Sequence, residues 1–539
     1  MHSKFIFITG GVISGLGKGI STASIGRVLK FKGFSSTAMK IDPYINFDAG
    51  TLRPSEHGEV WVTEDGGETD QDLGNYERFL DTTISRRHNV TSGQIFSVVV
   101  ERERKGEYLG KTVQPIPHLT DEIKNRIYEV AKNTKSDFVL IEIGGVVGDY
   151  ENILFLEAAR QMKLEGENVL FVHVAYLPFL SSLGELKSKP VQHSTKELLS
   201  LGIQPDFIIC RSDHMIDNVR KEKIAMFCNV SAESIISNPN IENIYDLPLL
   251  FEKQDFGNKI LKKFSIEPKD SDSSLWETFI NSLKNPEKSI KIGIVGKYFD
   301  IGDYKLPDSY VSVIEAIKHA CAENAVKPEI SWLDSKEYEK GPSKLDELKY
   351  FNGVIVPGGF GSSGVEGKIL AIRYLRENNI PYLGLCYGLQ LAVIEFARNV
   401  CKLEDANTTE ISNDCKNPVI DFLPWQKKII QENKYGATMR LGGQIVKIKN
   451  NTKAFNIYRK DSVVERFRHR YEINPDYVDI LEKHGFIFSG STPDGSIKQI
   501  GELPTHKFFM GAQFHPEFTS RPLKSNPMFN EFVKACTTS

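Results

Sequence analysis

A chain of 539 residues has room for about two to four domains at roughly 150 residues each, and its 40% hydrophobic and 25% charged content is that of an ordinary globular protein. Lys plus Arg number 67 against 70 for Asp plus Glu, a net charge of -3, which argues against a general nucleic-acid binder because displacing counterions from a polyanion requires a basic surplus. The longest strongly apolar segment, Val169–Leu180, carries His173 and Pro178 and falls short of the roughly 20 residues of a membrane span. Met1–Phe7 has no secretory-signal pattern, so neither membrane insertion nor export is expected. Cys210, Cys228, Cys321, Cys386, Cys401, Cys415 and Cys536 are odd in number, scattered and free of any Cys-x-x-Cys pair. Reduced thiols in a cytoplasmic protein are expected, rather than disulfides or a zinc ribbon.

In chain order, strand patterns at Phe5–Ile8, Val139–Ile143, Val169–Ala175 and Phe207–Cys210 alternate with helical patterns at Lys18–Lys32, Asp121–Lys135, Asn152–Lys163 and Asp217–Phe227. This alternation predicts α/β architecture with largely parallel sheets. Residues 267–289 turn to Pro, Asp, Ser and Lys around one amphipathic piece, Leu275–Leu283, and read as an interdomain linker. A new series opens with IKIGIVG at Ile290 and continues through strands Val354–Val356 and Tyr382–Leu385, with a helix over Val365–Asn378. Two α/β domains are expected, residues 1–266 and 290–539, each a mostly parallel sheet flanked by helices. There is no internal repeat.

The run TGGVISGLGKGIS, Thr9–Ser21, follows a strand and opens a helix. Backbone N–H groups and the helix dipole there suit a polyphosphate, and Lys18 suits its β and γ phosphates. Ser14, Gly15, Leu16, Gly17, Lys18, Gly19 and Ile20 are therefore candidate ATP contacts. The glycine spacing from Gly11 to Gly17 is one residue longer than in the G-x-x-x-x-G-K-[ST] pattern, and Gly19 stands where that pattern has a magnesium-binding hydroxyl. Magnesium then needs carboxylates from elsewhere. Asp72, in ETDQDLG, and Glu142, at the end of FVLIEI, are the candidates.

In YLGLCYGLQ, Cys386 lies between two glycines after an apolar strand and before a helix, a nucleophile elbow that exposes the sulfur and places it at a helix N-terminus. QFHPEF supplies His515 and Glu517, a base and the acid that orients it. If this segment is a strand, residues two apart share a face. PGGFG, Pro357–Gly361, follows a strand, and its glycines can turn an N–H toward an oxyanion, beside the N–H of Tyr387. The remaining cysteines lack flanking glycines and read as packing residues.

Three segments carry a resemblance. KIDPYINFDAGTLRPSEHGEVWVTEDGGETDQDLGNYERFL (Lys40–Leu80), IEIGGVVGDYE (Ile141–Glu151) and KSKPVQHS (Lys187–Ser194) are similar, almost residue for residue, to the signatures of CTP synthases. The resemblance covers essentially the whole chain. It implies a Rossmann-like synthetase domain and a flavodoxin-like glutaminase domain. Ser14, Lys187, Ser188, Lys189, Pro190, Val191, Gln192 and Lys223 would then hold the UTP triphosphate, and several ammonium groups around such an anion make physical sense. Lys40, taken to lie just after the second strand, would reach the phosphates or the reacting centre. Asp149, Tyr150 and Glu151 would meet the nucleoside of the inhibitor CTP. The Cys386, HPE and PGGFG motifs resemble class I, triad-type glutamine amidotransferases. Gly359, Tyr387, Gly388, Leu389, Gln390, Glu410 and Arg470 would then bind glutamine. Tyr387 replaces the commoner aliphatic residue there, but only its backbone is used.

The implied reaction transfers the ATP γ-phosphoryl group to O4 of UTP. Ammonia released from glutamine travels by an internal passage and displaces phosphate at C4. The resemblance also implies magnesium with ATP, no organic prosthetic group, GTP as activator, and a homotetramer, and it leaves filament formation open. One rival reading is a phosphate-loop amidoligase of the kind acting on corrin precursors, which lacks the Lys40–Leu80 signature. Another is a catalytically silent filament or scaffold protein on the same fold. CTP formation from UTP, ATP and glutamine separates enzyme from scaffold.

Overall fold

A computed structural model of the chain describes residues 3–538 apart from 53–57, 271, 297–299, 302–303, 306, 360, 413 and 424–438. The chain forms two compact units, Met1–Thr51 with Glu68–Glu277, and Leu52–Gly67 with Thr278–Ser539.

The first unit is built on a seven-stranded sheet whose paired strands are all parallel. Its strands are β1 (Lys4–Gly11), β2 (Ser36–Asp42), β3 (Asn89–Thr91), β4 (Phe138–Ile143), β5 (Val169–Tyr176), β6 (Phe207–Ser212) and β7 (Ile235–Pro239), in the order β7-β6-β5-β1-β4-β2-β3. β2 and β4 are buried at every residue, as a parallel sheet covered on both faces requires. β1 lies between β4 and β5, so the loop leaving its carboxyl end opens where the strand order reverses, the usual ligand crevice of such sheets. The helix Lys18–Phe31 starts there, capped by left-handed Gly17. Lys40 lies within β2 rather than after it and pairs across the sheet with Glu142 of β4. Its side chain is therefore fixed against β4. In the expected linker, a helix forms over Ser274–Lys284. Its Trp276 is wholly buried among Phe31, Phe79 and Tyr245 and donates to the Tyr245 carbonyl at 2.9 Å. Burying roughly 200 Å² of indole at about 25 cal/mol per Å² contributes about 5 kcal/mol.

In the second unit, β8 (Lys288–Gly296), β9 (Val326–Asp334), β10 (Gly353–Val356), β11 (Tyr382–Leu385) and β16 (Phe509–Ala512) form the parallel half of a nine-stranded sheet. β12 (Arg440–Ile448), β13 (Ser462–His469), β14 (Ile487–Ser491) and β15 (Lys498–Glu502) extend it antiparallel, in the order β9-β8-β10-β11-β16-β15-β14-β12-β13. The segment 58–67 packs on this unit. Trp61 is fully buried, 4.9 Å from the Phe518 ring, and Arg466 of β13 donates to the Val62 carbonyl at 3.2 Å. Among the described residues, no helix is long and apolar enough to cross a membrane.

Candidate active sites

At the phosphate loop, Ser14 and Gly15 are exposed while Leu16 is buried and anchors the turn. Lys18 is buried at the start of the helix and donates to the Gly145 carbonyl at 2.9 Å. Burial lowers its pKa, against the pull of the Glu142 carboxylate. A Cβ at Gly19 would stand 1.9 Å from Asp72 Oδ1. The space a side-chain hydroxyl would use at this position is thus taken by the Asp72 carboxylate, which explains why residue 19 is glycine.

Lys40 sits among four carboxylates. Its Nζ pairs closely with Asp72 and lies 3.1 Å from Glu142, 3.8 Å from Asp70 and 4.0 Å from Asp42. Burial works against the charge on Lys40, but these carboxylates outweigh it and hold its pKa well above the ordinary lysine value. Burial raises Asp42 to about 7 and raises Glu142, to which Tyr76 donates. Asp72 stays low despite burial because Lys40 faces it. Among the described residues, no three His, Cys, Asp or Glu side chains form a ready metal cage. Magnesium commonly takes only one or two protein carboxylates beside phosphates and water, and Asp72 and Glu142, adjoining the loop, fit that requirement. Asp42, Asp70 and Tyr76 were not singled out from sequence. Asp70 had a signal, lying two residues before Asp72 in the same motif.

Gly11, at the end of β1, packs against a further polar chain. His173 lies 2.9 Å from Thr9 Oγ1 and 2.5 Å from Ser194 Oγ, and burial lowers its pKa to about 3, so the ring is neutral. The helix Lys189–Ser200 has Pro190 in its first turn, Val191 in the core, and Gln192 donating to Ser188 Oγ at 3.0 Å. Lys189 Nζ is 5.7 Å from the Phe227 ring, one turn beyond Lys223 on the neighbouring helix Asn218–Cys228. Lys187, then Arg220 and Lys223, hold Glu185 below the usual carboxylate range, so the three lysines of the sequence reading share one neighbourhood. Asp149 Oδ2 accepts from the Val146 N–H at 2.9 Å, while Tyr150 and Glu151 are exposed.

In the second unit, Cys386 has φ 51° and ψ −98° between β11 and the helix Tyr387–Asn399. This strained elbow needs glycine on its inner side, since a Cβ at Gly388 would stand 2.2 Å from the Val356 carbonyl oxygen. The Cys386 N–H donates to the Ala512 carbonyl at 2.7 Å, and Sγ lies 3.8 Å from the Arg468 carbonyl. Gly358 packs against both His515 Cε1, at 3.1 Å from its Cβ position, and Cys386 Cβ, at 3.8 Å. His515 Nδ1 is 2.8 Å from Glu517 Oε1. This pair is not on a strand. β16 ends at Ala512, and Pro516–Phe518 forms a 3-10 turn with His515 at its start, because proline has no N–H for a sheet ladder and favours the first turn of a helix. Burial opposes protonation of His515, but Glu517 and the Cys386 sulfur outweigh it and raise its pKa well above the ordinary value.

Glu410 accepts from the Gly361 N–H at 2.9 Å and so braces the Gly-rich loop. Arg470 is half-buried. Gln390 is buried and donates to the Tyr471 carbonyl at 2.8 Å and to Gln513 Oε1 at 3.2 Å. Leu389 packs into the core against Gly511. Gln513, which the sequence reading missed, has its Nε2 3.7 Å from Cys386 Sγ. Cys210, Cys321, Cys401 and Cys536 are buried with pKa values raised by burial, the behaviour of packing residues.

The family described as CTP synthase N-terminus matches residues 4–266, and glutamine amidotransferase class-I matches residues 305–535. The CTP synthase of Pyrococcus abyssi is 52% identical over 536 residues, 99% of this chain and 98% of its own. That of Sulfolobus acidocaldarius is 51% identical over 536 residues, 99% of this chain and 100% of its own. The solved glutaminase domain of Trypanosoma brucei CTPS with bound acivicin is 36% identical, covers 46% of this chain and 94% of that chain, and gives a TM-score of 0.43. With both family models matched in turn and the Pyrococcus and Sulfolobus CTP synthases matched along nearly its whole length, the chain belongs to the CTP synthase family of glutamine-dependent ligases.

Proposed function

We propose that the two half-reactions of CTP synthesis divide between two domains of this chain, a synthetase over residues 1–266 and a glutaminase over 290–539, joined by 267–289. The observation that carries this reading is the separation of chemistries. One sheet presents a glycine-rich loop with its carboxylates, and the other a cysteine elbow beside a His–Glu pair.

In the synthetase, the N–H groups of Ser14–Ile20 and the Lys18 ammonium bind the ATP phosphates, and Asp72 and Glu142 would hold magnesium. That ion supplies charge neutralisation on the phosphates when bound. Lys40 orients the reacting phosphoryl group or the O4 it is transferred to. Lys187, Ser188, Lys189, Pro190, Val191, Gln192 and Lys223 grip the UTP triphosphate with Ser14.

In the glutaminase, the Cys386 thiolate attacks the carboxamide carbon of glutamine. The N–H groups of Gly359 and Tyr387 receive the oxyanion, and the protonated His515 gives its proton to the departing ammonia. Water, deprotonated by His515, then cleaves the thioester, and Glu517 keeps the ring oriented. Glu410 and Arg470 clamp the amino acid end of glutamine, with Gly388, Leu389 and Gln390 beside it. The ammonia is handed on within the enzyme. CTP inhibits through the shared triphosphate grip, with its nucleoside on Asp149, Tyr150 and Glu151. GTP activates, and the enzyme works as a cytoplasmic homotetramer. Seven free thiols support the compartment.

Reciprocal variants test the division. Cys386→Ala is expected to lose CTP synthesis from glutamine and keep it from ammonia. Lys18→Ala is expected to lose both and keep glutamine hydrolysis. Loss of ammonia-dependent synthesis in a folded Cys386→Ala protein overturns the assignment.

A further inference from the structure

The His515–Glu517 turn is fastened at both ends by adjacent residues of β13. At its start, the His515 N–H donates to the Arg466 carbonyl at 2.8 Å. At its end, Thr519 Oγ1 donates to Glu465 Oε2 at 2.8 Å. Glu465 is only 3% exposed, and its other oxygen accepts from Tyr458 OH and Asn526 Nδ2, both at 2.9 Å. Asn526 Nδ2 also donates to Thr519 Oγ1 at 2.9 Å. Two residues beyond Arg466, the Arg468 carbonyl faces the Cys386 thiol. One strand therefore registers the nucleophile by its backbone and the base turn by backbone and side chain together.

We propose that Glu465 is a positioning residue of the glutaminase, holding Thr519 so that the His515–Glu517 turn stays aligned with Cys386. The inference rests on the assignment of Cys386, His515 and Glu517 as the glutaminase machinery. Burying a carboxylate is costly unless its oxygens are satisfied, and here three neutral donors satisfy it. The Thr519 hydroxyl has one proton and a second acceptor, the Pro516 carbonyl at 3.1 Å. The Glu465 Oε2 acceptor draws that proton outward to β13, which ties the turn to the strand. Without it, the hydroxyl turns inward to Pro516 and the tie is lost. A base displaced by about 1 Å can cost up to roughly 10²-fold in rate.

The test compares Glu465→Ala, Glu465→Gln, Thr519→Val and the Glu465→Ala/Thr519→Val pair in the full-length enzyme. The readouts are kcat and KM for glutamine hydrolysis, the rate of Cys386 alkylation by iodoacetamide, and the thermal midpoint. Expected are a fall in kcat of about tenfold or more in Glu465→Ala and Thr519→Val with KM little changed, and alkylation slowed in parallel. The double variant is expected to be no worse than either single one, and Glu465→Gln, which can still accept or donate at Thr519, to be restored to within about threefold. Should Glu465→Ala fail to fold, Thr519→Val removes only a hydroxyl and carries the same expectation. Wild-type kcat and alkylation in Thr519→Val overturn the proposal. So do multiplicative losses in the double variant with alkylation untouched, which indicate general destabilisation. Glutamine hydrolysis surviving in Cys386→Ala instead overturns the nucleophile assignment on which the inference rests.

Discussion

Glu517→Gln keeps the size of the side chain and removes its charge, which isolates what that charge does for His515. The imidazole is buried, stacked on Phe518 with centroids 5.1 Å apart, and 2.8 Å from Glu517 Oε1. Burial alone favours the neutral ring, and the Glu517 and Cys386 charges reverse that preference. A hydrogen bond between charged groups contributes about 1.5–3 kcal/mol. The substitution removes the Glu517 charge and so lowers the His515 pKa. A raised base stabilises the folded, protonated state fully below its unfolded pKa and loses that contribution as pH rises through the folded value. In the variant this loss moves to lower pH. The imidazolium beside the Cys386 sulfur is then lost at lower pH, and with it the charge that favours the thiolate. Glutamine hydrolysis at pH 7 is expected to fall roughly 10- to 100-fold in kcat/KM. The assay is the pH dependence of hydrolysis and of Cys386 alkylation by iodoacetamide, and the alkylation curve is expected to shift to higher pH. An alkylation curve identical to that of the parent enzyme refutes the electrostatic role of Glu517.

Three further outcomes are expected. Gly19→Ala places a methyl 1.9 Å from Asp72 Oδ1 and should raise the ATP and magnesium requirements about tenfold by displacing that carboxylate, while glutamine hydrolysis is unaffected. Unchanged ATP and magnesium titrations would separate Asp72 from the ATP site. Glu151→Ala should weaken CTP inhibition about tenfold with a much smaller change in UTP half-saturation, since losing a charged hydrogen bond costs roughly 1.5–3 kcal/mol; parallel weakening would place Glu151 in the shared site. Gly388→Ala, with its Cβ 2.2 Å from the Val356 carbonyl oxygen, should cost about 1–3 kcal/mol and lower the melting temperature along with glutaminase activity, and a parental melting curve would show that the elbow relaxes freely.

Much of the fold is written in local pattern. β1, β4, β5 and β6 extend the apolar runs that mark them by a few residues, because strands buried on both faces must be apolar almost throughout. Sequence also flagged the missing hydroxyl at Gly19, although only the structure shows a carboxylate filling its space. What stayed hidden depends on distant partners. The surroundings of Lys40 come from β2, β4 and the residues around Asp72, and no local signal reports that convergence. Glu465 acquires its role from Thr519 and Asn526, more than fifty residues later, so on its own strand it reads as an ordinary acidic residue. The strand reading of His515–Glu517 had a legible warning in Pro516, whose missing N–H argues for a turn.

Residues 58–67 lie early in the chain yet fold with its second half. Evolutionary shuffling usually moves a domain as one contiguous stretch of coding sequence. A transplant beginning at Thr278 would carry Cys386, His515 and Glu517 but would leave Phe518 without Trp61 and the Arg466 guanidinium without the Val62 carbonyl. Exchange of this glutaminase for another is therefore not a single splice. The incoming unit must bring a patch that completes the same surface, or accept the one already embedded in its host. The interleaved chain acts as a lock on recombination, which favours inheritance of the two halves together.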